Sequence, residues 1–503
     1  MASRRDELNA YTFAKRRLIA QFLRPTPTGS DEHAPRPLRA VLPGVLVGVV
    51  GLAGFGAWGL FQPVAPRGWD ETRAHVIIAS RSTARFVVLD LDGVRRLHPV
   101  LNMSSARLLV NNGADRIVKV DDRILDESKL VRGPALGIPY APDRLPEPAS
   151  AAAPKTWAVC ERPGHGGSRT VQRALFVLAG KERSALGDRR RLHGGQVLYV
   201  VDRNRVQYVV DEAGTAYRLT VDSGLLAQVV GPGRVPQQVS ERWLSTLPKG
   251  GTIKFPTPEG VPGTLTRAPR VQPHYNKVGT VVVTGTAGGR RQHYLVLPDR
   301  VAPVSDLMAK LLVNNPKLAA LHPQGSAIRS DGGFAPGAPF LPPGRGKWPQ
   351  ATSWAVNSPN PALGSRNTVC SVLRAVNSAN GAATLGTWAG TGFPLPLPTG
   401  TTTVYVTPGS GQYFRQFKGT QPGTGTDYLL TDTGLRHAMQ RNGDTAKGTV
   451  RPDKGAAAAA PMTAAQLLGY GRVRPALIPA AWSELVPAGP RLSTGAAQQP
   501  QGS

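Results

Sequence analysis

The sequence predicts an α+β, β-rich chain. One N-terminal transmembrane helix precedes a large extracytoplasmic body, in which a disulfide-linked central β domain carries four small α/β repeats. Three observations carry this reading: a single long apolar run near the start, two cysteines far apart downstream of it, and one strand–turn–strand–helix phrase that recurs four times. Of the 503 residues, 57 are Gly and 46 are Pro, which favours turns and short strands over long helices. Hydrophobic residues at 41% and charged residues at 18% exclude a wholly disordered, charge-swollen chain. Two cysteines are too few for a disulfide-dense scaffold or a four-thiolate zinc site.

Between Arg39 and Arg67 no charged residue occurs, and Ala40 to Phe61 reads AVLPGVLVGVVGLAGFGAWGLF. As a helix this run reaches about 33 Å at ~1.5 Å per residue, enough for a hydrocarbon core of roughly 30 Å. The long preceding segment and the lack of an A-x-A exit make it an uncleaved anchor rather than a signal peptide. Arg4, Arg5, Lys15, Arg16, Arg17, Arg24, Arg36 and Arg39 before it outnumber the nearest cations after it, Arg67, Arg73, Arg81 and Arg85. Positive charge stays on the cytoplasmic side, so the N-terminus is expected inside and the bulk outside. Gly44, Gly48 and Gly51 would let a second membrane helix approach closely; a plain anchor is the alternative. Ahead of the span, Leu8, Tyr11, Leu18, Ile19 and Phe22 fall at helical spacings among Lys15, Arg16 and Arg17, until Pro25 and Pro27 stop the helix. Such a basic amphipathic segment lies on anionic membrane lipid or docks on a cytoplasmic partner.

With 60 Lys+Arg against 32 Asp+Glu the chain carries +28, and most of that excess lies beyond Arg67. No finger, RNP sequence or helix-turn-helix pattern accompanies it, so no nucleic-acid partner is expected. Acidic wall polymers or anionic headgroups suit the compartment, and a solvated basic surface suits it equally. Cys160 and Cys370 both lie on the exported side, where an even pair is expected bridged rather than free. The closed loop spans about 210 residues, for which chain entropy gives at most about 5 kcal/mol.

The recurring phrase is a short β-rich run, an acidic residue or turn, then a leucine-bearing helix. It appears at Phe86 to Val110, Tyr208 to Val230 and Tyr294 to Val313. A fourth copy opens with YLLTDTGLRHAM at Tyr428 and resumes at MTAAQLLGYG. Asp92-Gly93 and Thr433-Gly434 supply turn chemistry. Ser104 or Ser105, Ser223, Ser305 and Thr463 are the N-cap candidates. Unequal intervals exclude a solenoid. ALFVLAG, QVLYVVD, GTVVVTG and TTTVYVTP are assigned to the central β domain.

Catalytic grammar is sparse. G-x-x-x-x-G-K-[ST], H-E-x-x-H, G-x-S-x-G and G-x-G-x-x-G followed by an acidic ribose ligand are all absent. The histidines are scattered, so no metal or catalytic residue is assigned. Trp157, Trp243, Trp354 and Trp482 could form a sugar-stacking surface, but core packing is the default for tryptophan.

The chain resembles the EccB family, membrane components of the type VII (ESX) secretion system of actinobacteria. The phrases that carry the resemblance are YTFAKRRLIAQFLRPTPTG, GAWGLFQP, LHPVLNMSSARLLV, GPALGIPYAPDRLP, TWAVC and WSELVPAGPRL. His98, Pro99, Asn102, Ser105 and Arg107 belong to the most specific of them. The resemblance implies a single-pass scaffold that anchors the translocation complex together with EccC, EccD, EccE and further copies of itself, with the mycosin protease on the outer face. It implies that Cys160 and Cys370 occupy the family's bridging positions. It also implies that the repeats are similar in fold to bacteriophage lysin wall-binding subunits, which points to peptidoglycan contact. Some members are called ATPases; no motif here carries that label, so ATP enters only under an alternative reading and no cofactor is otherwise expected.

Together these readings divide the chain into a cytoplasmic segment 1–39, an anchor 40–62, a linker with repeat 1 over 63–130 and a first central segment over 131–200. Repeat 2 then covers 201–247, repeat 3 248–325, a second central segment 326–425, repeat 4 426–486 and a disordered tail 487–503. Within repeat 4, residues 441–461 read as a low-complexity insertion.

Overall fold

Short Val- and Leu-rich runs separated by glycine turns give many small strands, and among the described residues these gather into five sheets. The computed structural model describes residues 4–23, 38–61, 65–91, 93–111, 117–164, 170–187, 189–285, 291–342, 348–360, 365–397, 403–440 and 462–501. The proposed insertion at 441–461 lies outside them. Two units are distinguished, one comprising residues 1–67, 79–82 and 119–129, the other 68–78, 83–118 and 130–503. The first unit holds helices Arg4–Leu23 and Leu38–Phe61, and helix Asp122–Glu127, capped by Asp121.

The repeats share one plan in the second unit. Repeat 3 shows it plainly: strands Val281–Gly285, Arg291–Val296 and Val301–Val304 form an antiparallel meander. Helix Asp306–Val313 follows, capped by Ser305. The chain then returns as Ile328–Arg329, parallel to the first strand, and crosses to pair Pro336 parallel with Val301. Repeat 2 repeats this with strands Gln196–Val201, Gln207–Val210 and Ala216–Leu219, the return Gln237–Gln238 and the outer strand Lys249–Ile253. Repeat 4 does so with Gln412–Phe417, Thr426–Leu430 and Arg436–Ala438, the return Ala476–Pro479 and outer contacts at Ala488 and Leu492. In repeat 1, Arg85–Leu91 and Val94–Pro99 pair antiparallel, helix Met103–Leu109 follows, and Val131–Arg132 runs parallel to Val94–Pro99. Each sheet has one face to bury, and the repeats bury theirs pairwise. Repeats 1 and 4 share one core, and repeats 2 and 3 share another.

The central sheet runs in the order Ala383–Gly390, Thr368–Val376, Thr156–Pro163, Val171–Leu178, Val404–Val406. Period-two alternation sorts its side chains. Trp157, Val159, Val369 and Leu373 face repeats 2 and 4, packing with Trp243, Phe414 and Trp482. Ala158, Cys160, Cys370, Val372 and Trp388 face the other way, under Phe393 and Leu395.

Several expected boundaries shift. QVLYVVD, assigned to the central domain, is the first strand of repeat 2; GTVVVTG is the first strand of repeat 3, as the bounds 248–325 have it and not a central-domain strand; and Gln412–Phe417, expected in the second central segment, opens repeat 4. Val131–Arg132 belongs to repeat 1 rather than to the first central segment, and Lys249–Ile253 to repeat 2 rather than repeat 3. The reason is physical: a buried Val-rich strand looks alike in any sheet, and a two-residue return strand has no periodicity to read. The tail is corrected as well. Instead of disorder beyond residue 487, Ser493 caps helix Thr494–Ala497, Leu492 and Ala497 are buried in the core of repeats 1 and 4, and Pro500 bridges to Leu136. Two caps also move, from Ser104 or Ser105 to Asn102, and from Ser223 to Asp222.

Candidate functional site

Two of the phrases singled out in the sequence meet in space. His98, fully buried on strand Val94–Pro99 of repeat 1, places Nδ1 3.0 Å from the carbonyl of Pro134. Pro99 presents its carbonyl to Leu136 N. Asn102 caps the helix by accepting from Ser105 N and Oγ, while its Nδ2 donates to Ile138 O. Ser105 Oγ in turn accepts from Ile138 N at 2.8 Å, and Met103 N donates to Asp143. The phrase LHPVLNMSSARLLV is thus a clamp on GPALGIPYAPDRLP, its Asn and Ser side chains spent on the backbone they hold. Arg107 reaches toward Tyr470, whose hydroxyl donates to Pro146 and whose pKa burial pushes up against the nearby guanidinium. The clamped loop presents Tyr140, 92% exposed, with φ +59°.

Cys160 and Cys370 lie directly opposite each other on adjacent strands, bridged, with Cα atoms 4.0 Å apart. Beside them Glu161 is fully buried. It accepts from Ser240 N at 2.8 Å, Ser240 Oγ at 2.5 Å and Arg173 Nε at 3.0 Å. Burial pushes its carboxyl above the usual range, and those donors oppose the shift. Trp243 Nε1 donates to Val159 O, and Trp157 Nε1 donates to Gln412. These bonds pin repeats 2 and 4 to the central sheet. Trp157, Trp243 and Trp482 are core; Trp354 alone of the four stays 44% exposed. Among the described residues no group of three or more His, Cys, Asp or Glu is placed to hold a metal ion.

In the first unit, helix Arg4–Leu23 buries none of its residues. Leu8, Tyr11, Leu18 and Phe22 are all exposed. Helix Leu38–Phe61 is apolar throughout after Arg39, and its described side chains are bare, Leu52 at 76% and Phe55 at 82% exposure. Beyond their chain neighbours and the helix's own backbone, nothing described lies within 4 Å of a Cβ built at Gly44, Gly48 or Gly51. Among the described residues no helix is long and apolar enough to cross a membrane; the side chains of this one are described over 41–56 only.

A family model described as type VII secretion system ESX-1, transport TM domain B, matches residues 1–502. The chain belongs to this EccB family. The ESX-3 secretion system ATPase EccB3 of Mycolicibacterium smegmatis is 28% identical over 91% of this chain and 83% of its own length. The ESX-1 secretion system ATPase EccB1 of the same species is 25% identical over 61% of this chain, which spans 60% of that relative. A chain from the structure of an intact ESX-5 inner membrane complex has the same fold, with a TM-score of 0.60 at 20% identity over 100% of this chain and 96% of that one.

The cysteine pair was readable in the sequence, and so was the phrase holding His98, Pro99, Asn102, Ser105 and Arg107, though not the loop it holds. Glu161 was missed: nothing in TWAVCERP marks a carboxylate whose partner lies 79 residues on.

Proposed function

We propose that the chain is a structural membrane subunit of a type VII secretion machine, anchoring and scaffolding the translocation complex on the extracytoplasmic side. The observation that carries this is the bare apolar helix Leu38–Phe61 in a chain that matches the EccB family from end to end. Nine described Val, Leu and Phe side chains on that helix are exposed, a cost water imposes and hydrocarbon does not. Its 24 residues give about 36 Å of helix, a single pass. Cations ahead of it keep the N-terminus cytoplasmic, and the bridged Cys160–Cys370 pair belongs to an oxidising compartment. EccC, EccD, EccE, further copies of this chain and the mycosin protease are the partners this reading assigns, with membrane lipid around the helix. Peptidoglycan is a further contact for the repeats.

Purification from the native host in mild detergent tests the scaffold: the chain should co-elute with other ESX membrane subunits, and elution alone overturns it. The relatives' names favour a second reading, nucleotide hydrolysis. The phosphate-binding pattern G-x-x-x-x-G-K-[ST] does not occur in the sequence. Turnover by the purified chain that one point substitution abolishes would establish that second reading.

A further inference from the structure

Repeat 3 places basic side chains around an open floor. In its sheet Val283 pairs with His293 on one side and with Arg329 on the other, and Gly285 pairs with Arg291. Paired residues share a face, as do residues two apart on a strand, so Arg291, His293 and Arg329 stand around Val283 and Gly285. Beyond its chain neighbours, nothing described lies within 4 Å of a Cβ built at Gly285. All five residues line a cavity of about 980 Å³ that His322 and Asp331 also line. Its charges are unevenly matched. Among the described residues, neither Arg291 nor Arg329 has an ion pair or a side-chain hydrogen bond. His293 Nδ1 lies 3.0 Å from Asp306, which leaves Asp331 as the one carboxylate facing two guanidinium groups. The stretch between the two hairpin strands, residues 286–290, reads TAGGR and adds no acid.

His322 adds a second observation. It is 4% exposed, and its Nε2 sits 3.3 Å from both Val281 N and Gly279 O. The amide can only donate, so Nε2 accepts and the neutral ring carries its proton on Nδ1. Burial favours that neutral form, the backbone of Gly279 and Ser326 opposing. Nδ1 is buried without a hydrogen bond. A buried N–H lacking an acceptor costs about 1–3 kcal/mol, which an oxygen brought to this wall recovers. Two cations facing one cavity also repel each other, and an anion between them removes that cost. We propose that Arg291 and Arg329 form an oxyanion site for a phosphate group, with His322 in its wall. Guanidinium groups arriving from separate strands suit a tetrahedral anion, which offers oxygens on every side, whereas one fork already fills a planar carboxylate. The site stands whether or not the chain is a scaffold.

The test titrates the full-length protein in mild detergent by calorimetry, with inorganic phosphate and with glycerophosphoglycerol, a soluble phosphodiester. Tighter binding of the first names the free ion as the natural ligand, and tighter binding of the second names a phosphodiester. Both arginines are exposed, so the double variant Arg291→Gln, Arg329→Gln keeps the fold. It should bind the better probe about 10-fold or more weakly. Arg267→Gln, an exposed charge of repeat 3 outside the cavity, should bind it as the wild type does. Equal affinity in the double variant and the wild type overturns the site, as does an equal loss in Arg267→Gln, which would mean diffuse charge only. No binding of either probe overturns it outright. Acetate binding the wild type as tightly as the better probe overturns the phosphate assignment.

Discussion

A single absent methyl group decides the packing beneath two histidines. His98 and His437 occupy matching places in repeats 1 and 4, each with Nδ1 3.0 Å from a proline carbonyl, that of Pro134 or Pro490. A carbonyl only accepts, so Nδ1 bears the proton, and each buried Nε2 makes no hydrogen bond. The preceding glycine roofs the ring: a Cβ would fall 2.2 Å from His98 at Gly133 and 2.3 Å from His437 at Gly489. Gly489→Ala should therefore cost about 1–3 kcal/mol, read as a lower denaturant midpoint of the full-length protein; an unchanged midpoint contradicts it. Burial holds His437 below its ordinary pKa. The unfolded chain thus binds a proton that the folded chain resists. The stability His437 confers is intact above pH ~6.5 and lost as pH falls below it. Glu161, raised by burial, has the opposite sign: its contribution is fully present below pH ~4.5 and declines as pH rises through its elevated value. A His437→Gln variant should lose stability less steeply than wild type between pH ~7 and ~5.5 in thermal melts. His98 could be picked out by its phrase, but its partner Pro134 could not, because the two approach only once the outer strand has crossed the sheet.

Elements show which local signals suffice. Ser305 and Thr463 cap their helices as their position before a leucine run foretells, Thr463 in a full capping box with Gln466. In repeats 1 and 2 the cap falls earlier, on Asn102 and Asp222. There the serines lie inside the helix, and Asn and Asp win because their oxygens reach the free N–H groups from an extended backbone. Asn102 also holds Ile138, so Asn102→Ala should cost about 2–3 kcal/mol, against ~1 kcal/mol for Thr463→Ala, whose cap serves its own helix only. Urea titration of both variants measures the difference. The meanders were legible because glycine turns and Val runs are local. The sheet each strand joins was not, since that is settled by partners far along the chain, as Trp243 is by Val159 and Cys370 by Cys160.

At the scale of the molecule, the proposed topology rests on charge asymmetry and one apolar run. Protease added outside intact cells should digest the large C-terminal portion and spare Arg4–Leu23; the reverse pattern contradicts it. Replacing both Cys160 and Cys370 by Ala should lower stability by up to about 5 kcal/mol, because the bridge closes a 210-residue loop, measurable as a drop in melting temperature under non-reducing conditions. The chain's interleaving has a consequence for its birth. Strand Thr156–Pro163 emerges from the ribosome long before its neighbour Thr368–Val376, with repeats 2 and 3 threaded between them, and repeat 1 waits longer still for repeat 4 and the final helix. The modules therefore mature like nested parentheses, innermost pair first, and the earliest-made cysteine must remain an uncommitted thiol until nearly three-quarters of the polypeptide has been delivered.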